Sequence, residues 1–199
     1  MSIQYYNTNA NDFFEGTINV DMESIYARFT ALLPIGGHIL DAGCGSGRDT
    51  LVFKTLGYAV TAIDASAALA QLASTHVGQQ VRVQKFEEIT EVSVFDGVWA
   101  CASLLHVPRD QLALNIRCLT KSLKPKGVLY ASFKEGETSR TVHGRHFTDL
   151  TLERLDELMA VCGMKSLDSW RTEDQRPDRV GEFWVNVLGR KSSTVCSNS

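Results

Sequence analysis

The sequence predicts a doubly wound α/β domain on a seven-stranded, mostly parallel sheet, and three observations lead there. Short apolar runs alternate with helical stretches of about ten residues, the rhythm of strand-helix-strand units. The run Ile39-Leu40-Asp41-Ala42-Gly43-Cys44-Gly45-Ser46-Gly47 passes from an apolar segment straight into alternating glycines ahead of a helical stretch. The last two strands stand too close for a crossover helix, so they form a hairpin whose final strand is antiparallel to the rest.

From Asp21 to Leu33, Met22, Ile25, Tyr26, Phe29, Leu32 and Leu33 recur near helical spacing, and Pro34 with Gly36-Gly37 ends the run, which predicts a leading helix. His38 to Ala42 reads as a short buried strand and Arg48 to Leu56 as a helix stopped by Gly57. Tyr58 to Ile63 is a second strand, Ser66 to His76 a second helix ending near Gly78, and Val81 to Phe86 a third strand. Phe95 to Ala102 makes the fourth strand, and Pro108 to Leu123 a helix with proline at its start. Lys124-Pro125-Lys126-Gly127 turns into a fifth strand, Val128 to Phe133. A charged loop, Lys134 to His146, then leads to a helix from Leu152 to Val161. Lys165 to Trp170 and Glu182 to Leu188 close the sheet.

At 199 residues and 44% hydrophobic composition the chain can bury an ordinary core as one folded domain. It divides into an N-terminal lid segment with the leading helix (1–36), the main domain (37–191) and a polar, disordered tail (192–199). A net charge of −3 offers no field for a phosphate backbone, so a small, soluble partner is expected rather than nucleic acid. The five cysteines, at 44, 101, 118, 162 and 196, form no Cys-x-x-Cys pair, which points to reduced thiols in a cytoplasm and to no zinc site. The sequence shows neither a basic leader with an apolar stretch nor eighteen consecutive apolar residues, so neither export nor membrane insertion is expected. Oligomeric state is not encoded.

Three glycines within five residues carry an entropic penalty of roughly 0.5–1 kcal/mol each inside an element, so they need a geometric reason. In a doubly wound sheet the ligand sits at the carboxyl edge where strand order reverses, and the Gly43 to Gly47 loop lies there with a helix N-terminus behind it. A dinucleotide fingerprint places glycine or alanine at the position that Arg48 holds here, which counts against a nicotinamide oxidoreductase. What stands instead is D-x-G-x-G-x-G from Asp41, followed by Asp64 at the tip of the second strand, where a carboxylate can accept both ribose hydroxyls.

At these residues the sequence resembles class I S-adenosylmethionine-dependent methyltransferases, from about Gly37 to Lys191. ILDAGCGSGRD, the Asp64-Ala65 strand tip, KFEEI, FDGVWACASLLHVP and LKPKGVLYASFK carry the likeness. The resemblance implies a Rossmann-like methyltransferase fold, S-adenosyl-L-methionine as cofactor and a small-molecule methyl acceptor, with a protein or RNA acceptor as the alternative. It implies Asp41 toward the methionine amine, Gly43 and Gly45 along that moiety, Asp64 and Ala65 at the ribose, and Phe86 and Glu87 at the adenine. Phe86 as plain core stays open. Ser46-Gly47-Arg48-Asp49 and the short chain resemble the tellurite-resistance-type branch of small methyltransferases. A non-catalytic module that binds the cofactor stays open as well.

Arg48 either reaches the methionine carboxylate or is solvated at its helix start. Ser103 and His106 leave the fourth strand at the same edge and project toward the transferable methyl. His106 is the candidate catalytic base, the alternative being a histidine that ties down its loop. Arg145 is the first choice for an anionic substrate among the arginines of two loops, against plain surface ion pairs. Trp99, Trp170 and Trp184 read most simply as core or sheet-face residues, and Trp184 is the first choice among them for lining the acceptor pocket. The aromatics Tyr5, Tyr6, Phe13 and Phe14 suit a lid over the cofactor, Tyr6 near the acceptor, or a cover for the leading helix.

Overall fold

The computed structural model describes residues 2–174, 176 and 179–192. The predicted tail lies outside the described residues except for Ser192, whose amide bonds the Gly163 carbonyl. Two short helices, α1 (Ser2–Thr8) and α2 (Ala10–Thr17), precede the leading helix α3 (Glu23–Thr30). Then follow β1 (His38–Ala42), α4 (Arg48–Thr55), β2 (Ala59–Asp64), α5 (Ala67–Val77), β3 (Arg82–Val83), β4 (Phe95–Ala100), α6 (Arg109–Ser122) and β5 (Leu123–Lys134). The rest of the chain forms β6 (Ser139–Val142), β7 (Arg145–Thr148), α7 (Leu152–Val161), β8 (Met164–Glu173) and β9 (Phe183–Lys191).

The main sheet has seven strands in the order β3-β2-β1-β4-β5-β9-β8. β9 enters between β5 and β8 and runs antiparallel to both. Strand order reverses at β1, which pairs β2 on one side and β4 on the other. The loop after β1 therefore opens at the carboxyl edge of the parallel strands.

Large apolar side chains fill both faces of this sheet. Under α3 and α4, Trp99 stacks on Tyr130 with centroids 4.1 Å apart, and Phe29 and Phe53 pack around the indole. Under α6 and α7, Phe95, Leu119, Phe133, Leu155 and Met159 are fully buried. Truncating such a side chain typically costs 2–5 kcal/mol, which anchors the edge where the loops gather.

Four expectations need correction. The region Lys134 to His146 is not a charged loop: Lys134 ends β5, 5% exposed, and β6 pairs β7 as an antiparallel hairpin. His143 (φ 49°) and Gly144 (φ 77°) form its two-residue turn, the left-handed pair that matches strand twist. The Lys124 to Gly127 segment is a bulge within β5, because Phe95 pairs Leu123 while Gly97 pairs Val128. The third strand shrinks to two residues at the sheet edge, and Phe86–Glu88 form a 3-10 turn. The fourth strand stops at Ala100, short of Ala102, whose φ of 48° breaks extended geometry.

Candidate functional site

Gly43 and Gly47 are glycines for steric reasons. At Gly43 (φ 81°) a Cβ would lie 2.5 Å from the Cβ of Ser103, and at Gly47 (φ 80°) 2.8 Å from Cγ1 of Val77 on α5. The first lets the loop after β4 close against the loop after β1, with the Ser103 hydroxyl donating to the Ala42 carbonyl at 2.7 Å. The second lets α4 start hard against α5. Gly43→Ala is expected to lower unfolding stability by about 2 kcal/mol through left-handed strain and overlap, measured by urea denaturation; an unchanged midpoint would contradict that packing.

Two cavities open at this edge and share one wall. The smaller, of about 440 Å³, is lined by Gly43, Gly45, Asp64, Ala65, Phe86, Glu87 and Ser103 among others. The larger, of about 560 Å³, extends beneath α2 and α3 to Arg145, Lys134 and Trp184. Tyr6, Phe13, Gly43, Gly45, Ala102 and His106 line both.

Asp64 organises the smaller cavity. Its two oxygens accept the Gly45 amide at 2.9 Å and the Ser66 amide at 2.8 Å, fixing the loop and the start of α5 together. Burial raises its carboxyl above the ordinary aspartate value, and these two amides oppose the shift. Asp41 lines neither cavity: it is 1% exposed and accepts the Thr50 hydroxyl at 2.5 Å. Burial, reinforced by the Asp49 charge, pushes its carboxyl up to about 8.

Arg48 is not solvated. Nε and an η nitrogen grip the two oxygens of Asp49 at 2.6 and 3.1 Å, and the other η nitrogen reaches the Thr17 carbonyl at 3.3 Å. Asp49 also accepts the Tyr26 hydroxyl at 2.5 Å and the Trp99 indole at 2.7 Å. Burial alone would raise the Asp49 carboxyl, but the Arg48 charge and these donors hold it below its usual range. The buried Asp49 carboxylate thus joins α3, α4 and β4 behind the glycine loop, and its partner Arg48 extends the junction to α2.

At the shared wall, His106 Nδ1 lies 2.7 Å from the His146 carbonyl and Nε2 lies 2.7 Å from the Tyr6 hydroxyl. A carbonyl only accepts, so Nδ1 carries the proton and Nε2 receives the phenol. Burial lowers the His106 pKa to about 4, the Arg145 charge reinforcing the shift and the His146 carbonyl opposing it. Burial likewise lifts Tyr6 to about 12. His106 is therefore neutral at pH 7.

A group depressed on folding binds its proton more readily in the unfolded chain, so the His106 contribution to stability falls as pH drops from about 6.5 to about 4. The raised carboxyl of Asp41 gives the opposite slope in that window. The difference between the protein and His106→Gln isolates the histidine: the stability advantage of the variant is expected to grow from pH 6.5 toward pH 4, read from denaturation midpoints. A constant difference would contradict the burial of a neutral imidazole.

The N-terminal helices bring to the site Phe13, one of the aromatics expected of a lid, and Asn7, which sequence reasoning missed. Phe13 reaches the loop so closely that a Cβ on Gly45 would lie 3.0 Å from its ring. Asn7 Oδ1 accepts the Ser66 hydroxyl at 2.7 Å and the Ala68 amide at 3.2 Å, adding to the cap of α5. Only the density of aromatics near the N-terminus hinted at this. Trp184 stands across the larger cavity, its indole nitrogen 3.0 Å from Asp174 and its ring 4.3 Å from Lys134 Nζ.

Residues 40–131 match the family described as methyltransferase domain. Over those residues, a little under half of its length, the chain is similar to methyltransferase domains. It is 39% identical over 120 residues to a ubiquinone biosynthesis O-methyltransferase of Xanthomonas axonopodis pv. citri, covering 57% of this chain and 48% of the relative. The chain thus spans about half the length of the curated relatives it matches. Among solved structures it resembles the 1,6-didemethyltoxoflavin-N1-methyltransferase of Burkholderia thailandensis, crystallised with 1,6-didemethyltoxoflavin and S-adenosylhomocysteine. That likeness has a TM-score of 0.80 at 25% identity and covers 96% of this chain and 87% of the other. The magnesium protoporphyrin IX methyltransferase of Synechocystis, with bound S-adenosylmethionine, shares the fold at TM-score 0.73 and 18% identity, over 95% and 94% of the two chains. Those two neighbours were crystallised with S-adenosylhomocysteine and S-adenosylmethionine, and the residues here fit such a ligand: aromatic rings, acids and loop amides line a single cleft.

Proposed function

We propose that the protein transfers the methyl group of S-adenosyl-L-methionine to a small-molecule acceptor and releases S-adenosylhomocysteine. The observation that carries this reading is the pair of cavities sharing the wall at Gly43, Gly45 and His106. The smaller has the chemistry of an adenosine site, and the larger leaves room for a second reactant. The names of a relative and a structural neighbour, an O-methyltransferase and an N1-methyltransferase, support a small acceptor.

When bound, the cofactor supplies a methyl carbon made electrophilic by its sulfonium. In this reading Asp64 and Ala65 hold the ribose, Phe86 and Glu87 flank the adenine, and Gly43, Gly45 and Ser103 border the methionine arm. Asp41 supports that loop from below, and Arg48 acts through Asp49. Tyr6, Arg145 and Trp184 face the acceptor. His106 is the base for an acceptor that arrives with its proton, which requires Tyr6 to release Nε2. Alignment within a closed site supplies most of the rate in such a displacement. The helices α1 and α2 act as the cover of the site, since Tyr6 and Phe13 line both cavities.

The finer likeness to the tellurite-resistance-type branch rests on Ser46 to Asp49, and the fold uses Arg48 and Asp49 for internal bonding. The cysteines at 44, 101, 118 and 162 are free thiols, which supports a reducing, cytoplasmic setting. Among the described residues no helix is long and apolar enough to cross a membrane.

Titration calorimetry with S-adenosylhomocysteine, followed by an acceptor panel scored for release of that product, tests the proposal. Binding with turnover of a small acceptor is expected. Stabilisation by NADH without response to S-adenosylhomocysteine would overturn it, and turnover confined to a protein or RNA would move the acceptor to a macromolecule.

A further inference from the structure

Six cationic side chains line the larger cavity: Arg48, Lys134, Arg140, Arg145, Arg176 and Arg179. Five are bound to carboxylates. Arg48 pairs with Asp49 at 2.6 Å, Arg140 with Asp149 at 2.6 Å, and Arg179 with Glu182 at 3.1 Å. Lys134, 5% exposed, bridges Asp174 and Glu182 at 2.6 Å each, and Arg176 also takes Asp174 at 2.6 Å. Their charges are spent within the protein.

Arg145 differs. Among the described residues it has no carboxylate partner within ion-pair distance. Its guanidinium carbon lies 4.6 Å from the Tyr5 ring centre and 5.2 Å from that of Phe147, and its buried Nε has no hydrogen-bond partner. Rings beside the planar cation strip water from it and limit its rotation; the Tyr6 hydroxyl is within reach of one of its N–H groups, and the rest of its N–H edge, Nε included, remains able to bond. A buried donor left unmade is costly, and an acceptor atom from outside the chain would satisfy it.

The position gives that cation a use. Arg145 opens β7, one residue before the carbonyl that holds His106 Nδ1, and its charge acts on both Tyr6 and His106. It therefore stands beside the wall the two cavities share. The lone pair of His106 Nε2 is meanwhile occupied by the Tyr6 hydroxyl. An acceptor entering as an anion leaves that bond intact and has no proton to lose.

We propose that Arg145 is the binding site for an oxyanion of the acceptor, a carboxylate or an ionised hydroxyl, so that the acceptor binds already deprotonated. This rests on the methyltransferase reading and narrows its substrate class. Charge-assisted bonds of this kind support about a ten-fold or greater preference over a neutral isostere.

The test uses the whole chain with and without S-adenosylhomocysteine. Calorimetry first records the binding of that nucleoside, which addresses the methyltransferase reading alone. Benzoate and benzamide are then titrated separately, and the absorbance of 4-nitrophenol is followed against pH in the presence of protein. The expected result is at least ten-fold tighter binding of benzoate than of benzamide, or a shift of the nitrophenolate transition to lower pH, or both. Benzoate alone assigns a carboxylate, and nitrophenolate alone an ionised hydroxyl. Arg145→Gln should abolish the preference, and Arg145→Lys should keep part of it, which separates loss of charge from loss of fold. The proposal is overturned if neither anion is preferred, or if the preference survives in Arg145→Gln.

Discussion

Asp49→Ala is expected to lower unfolding stability by about 3–5 kcal/mol, measured by urea denaturation at neutral pH. The carboxylate collects bonds from Arg48, Tyr26 and Trp99, all from partly or wholly buried donors. Removing it strands the Arg48 guanidinium, whose side chain is 16% exposed, without its counter-charge. Removing one partner of a buried pair costs far more than the pair contributes net, because the survivor has lost both water and its mate. Asp49→Asn keeps one acceptor oxygen, enough for the hydroxyl or the indole but not both, and should fall between the two. A loss below about 1 kcal/mol for the alanine variant would show that water replaces the carboxylate at this junction. Because Arg48 also reaches the Thr17 carbonyl at the end of α2, the N-terminal helices should lose protection from hydrogen exchange before the sheet does.

Asp64→Ala is expected to weaken S-adenosylhomocysteine binding by about 100-fold, the scale of losing charge-assisted bonds to a buried ligand. Calorimetry checks this directly. The side chain has two duties, since it also accepts the Gly45 and Ser66 amides that shape the cleft. Asp64→Asn separates them in part, because one carboxamide oxygen can still receive an amide while the second position becomes a donor. Its affinity should lie between those of the protein and the alanine variant. A change of less than about three-fold in the alanine variant would place the cofactor elsewhere and remove the chemical basis of the smaller cavity.

Local signals made much of this chain legible before its fold was known. Buried strands read as continuous apolar runs, and α7 occupies Leu152–Val161 as its apolar spacing requires. The alternating glycines and the aspartate at the tip of β2 located the carboxyl edge, since backbone conformation and strand-helix rhythm are properties of neighbouring residues. The His143-Gly144 hairpin was a local signal too, but the surrounding charges hid it, with Arg140 and Arg145 flanking a strand pair whose inner residues, Phe147 and Thr148, are buried.

The sequence by itself determined the doubly wound sheet, the position of the glycine loop and the identity of Asp64 at its edge, all of which follow from periodicity and local conformational preference. Only the tertiary structure decided which charges are already matched. Arg48 and Asp49, adjacent in sequence, bind one another, whereas Lys134 meets carboxylates some forty residues away and Arg145 meets aromatic rings. The bond from Tyr6 to His106 spans a hundred residues and sets which imidazole nitrogen is occupied. Hydrogen bonds and ion pairs act over a few ångströms of space, so their partners are fixed by the packing of distant elements rather than by spacing along the chain.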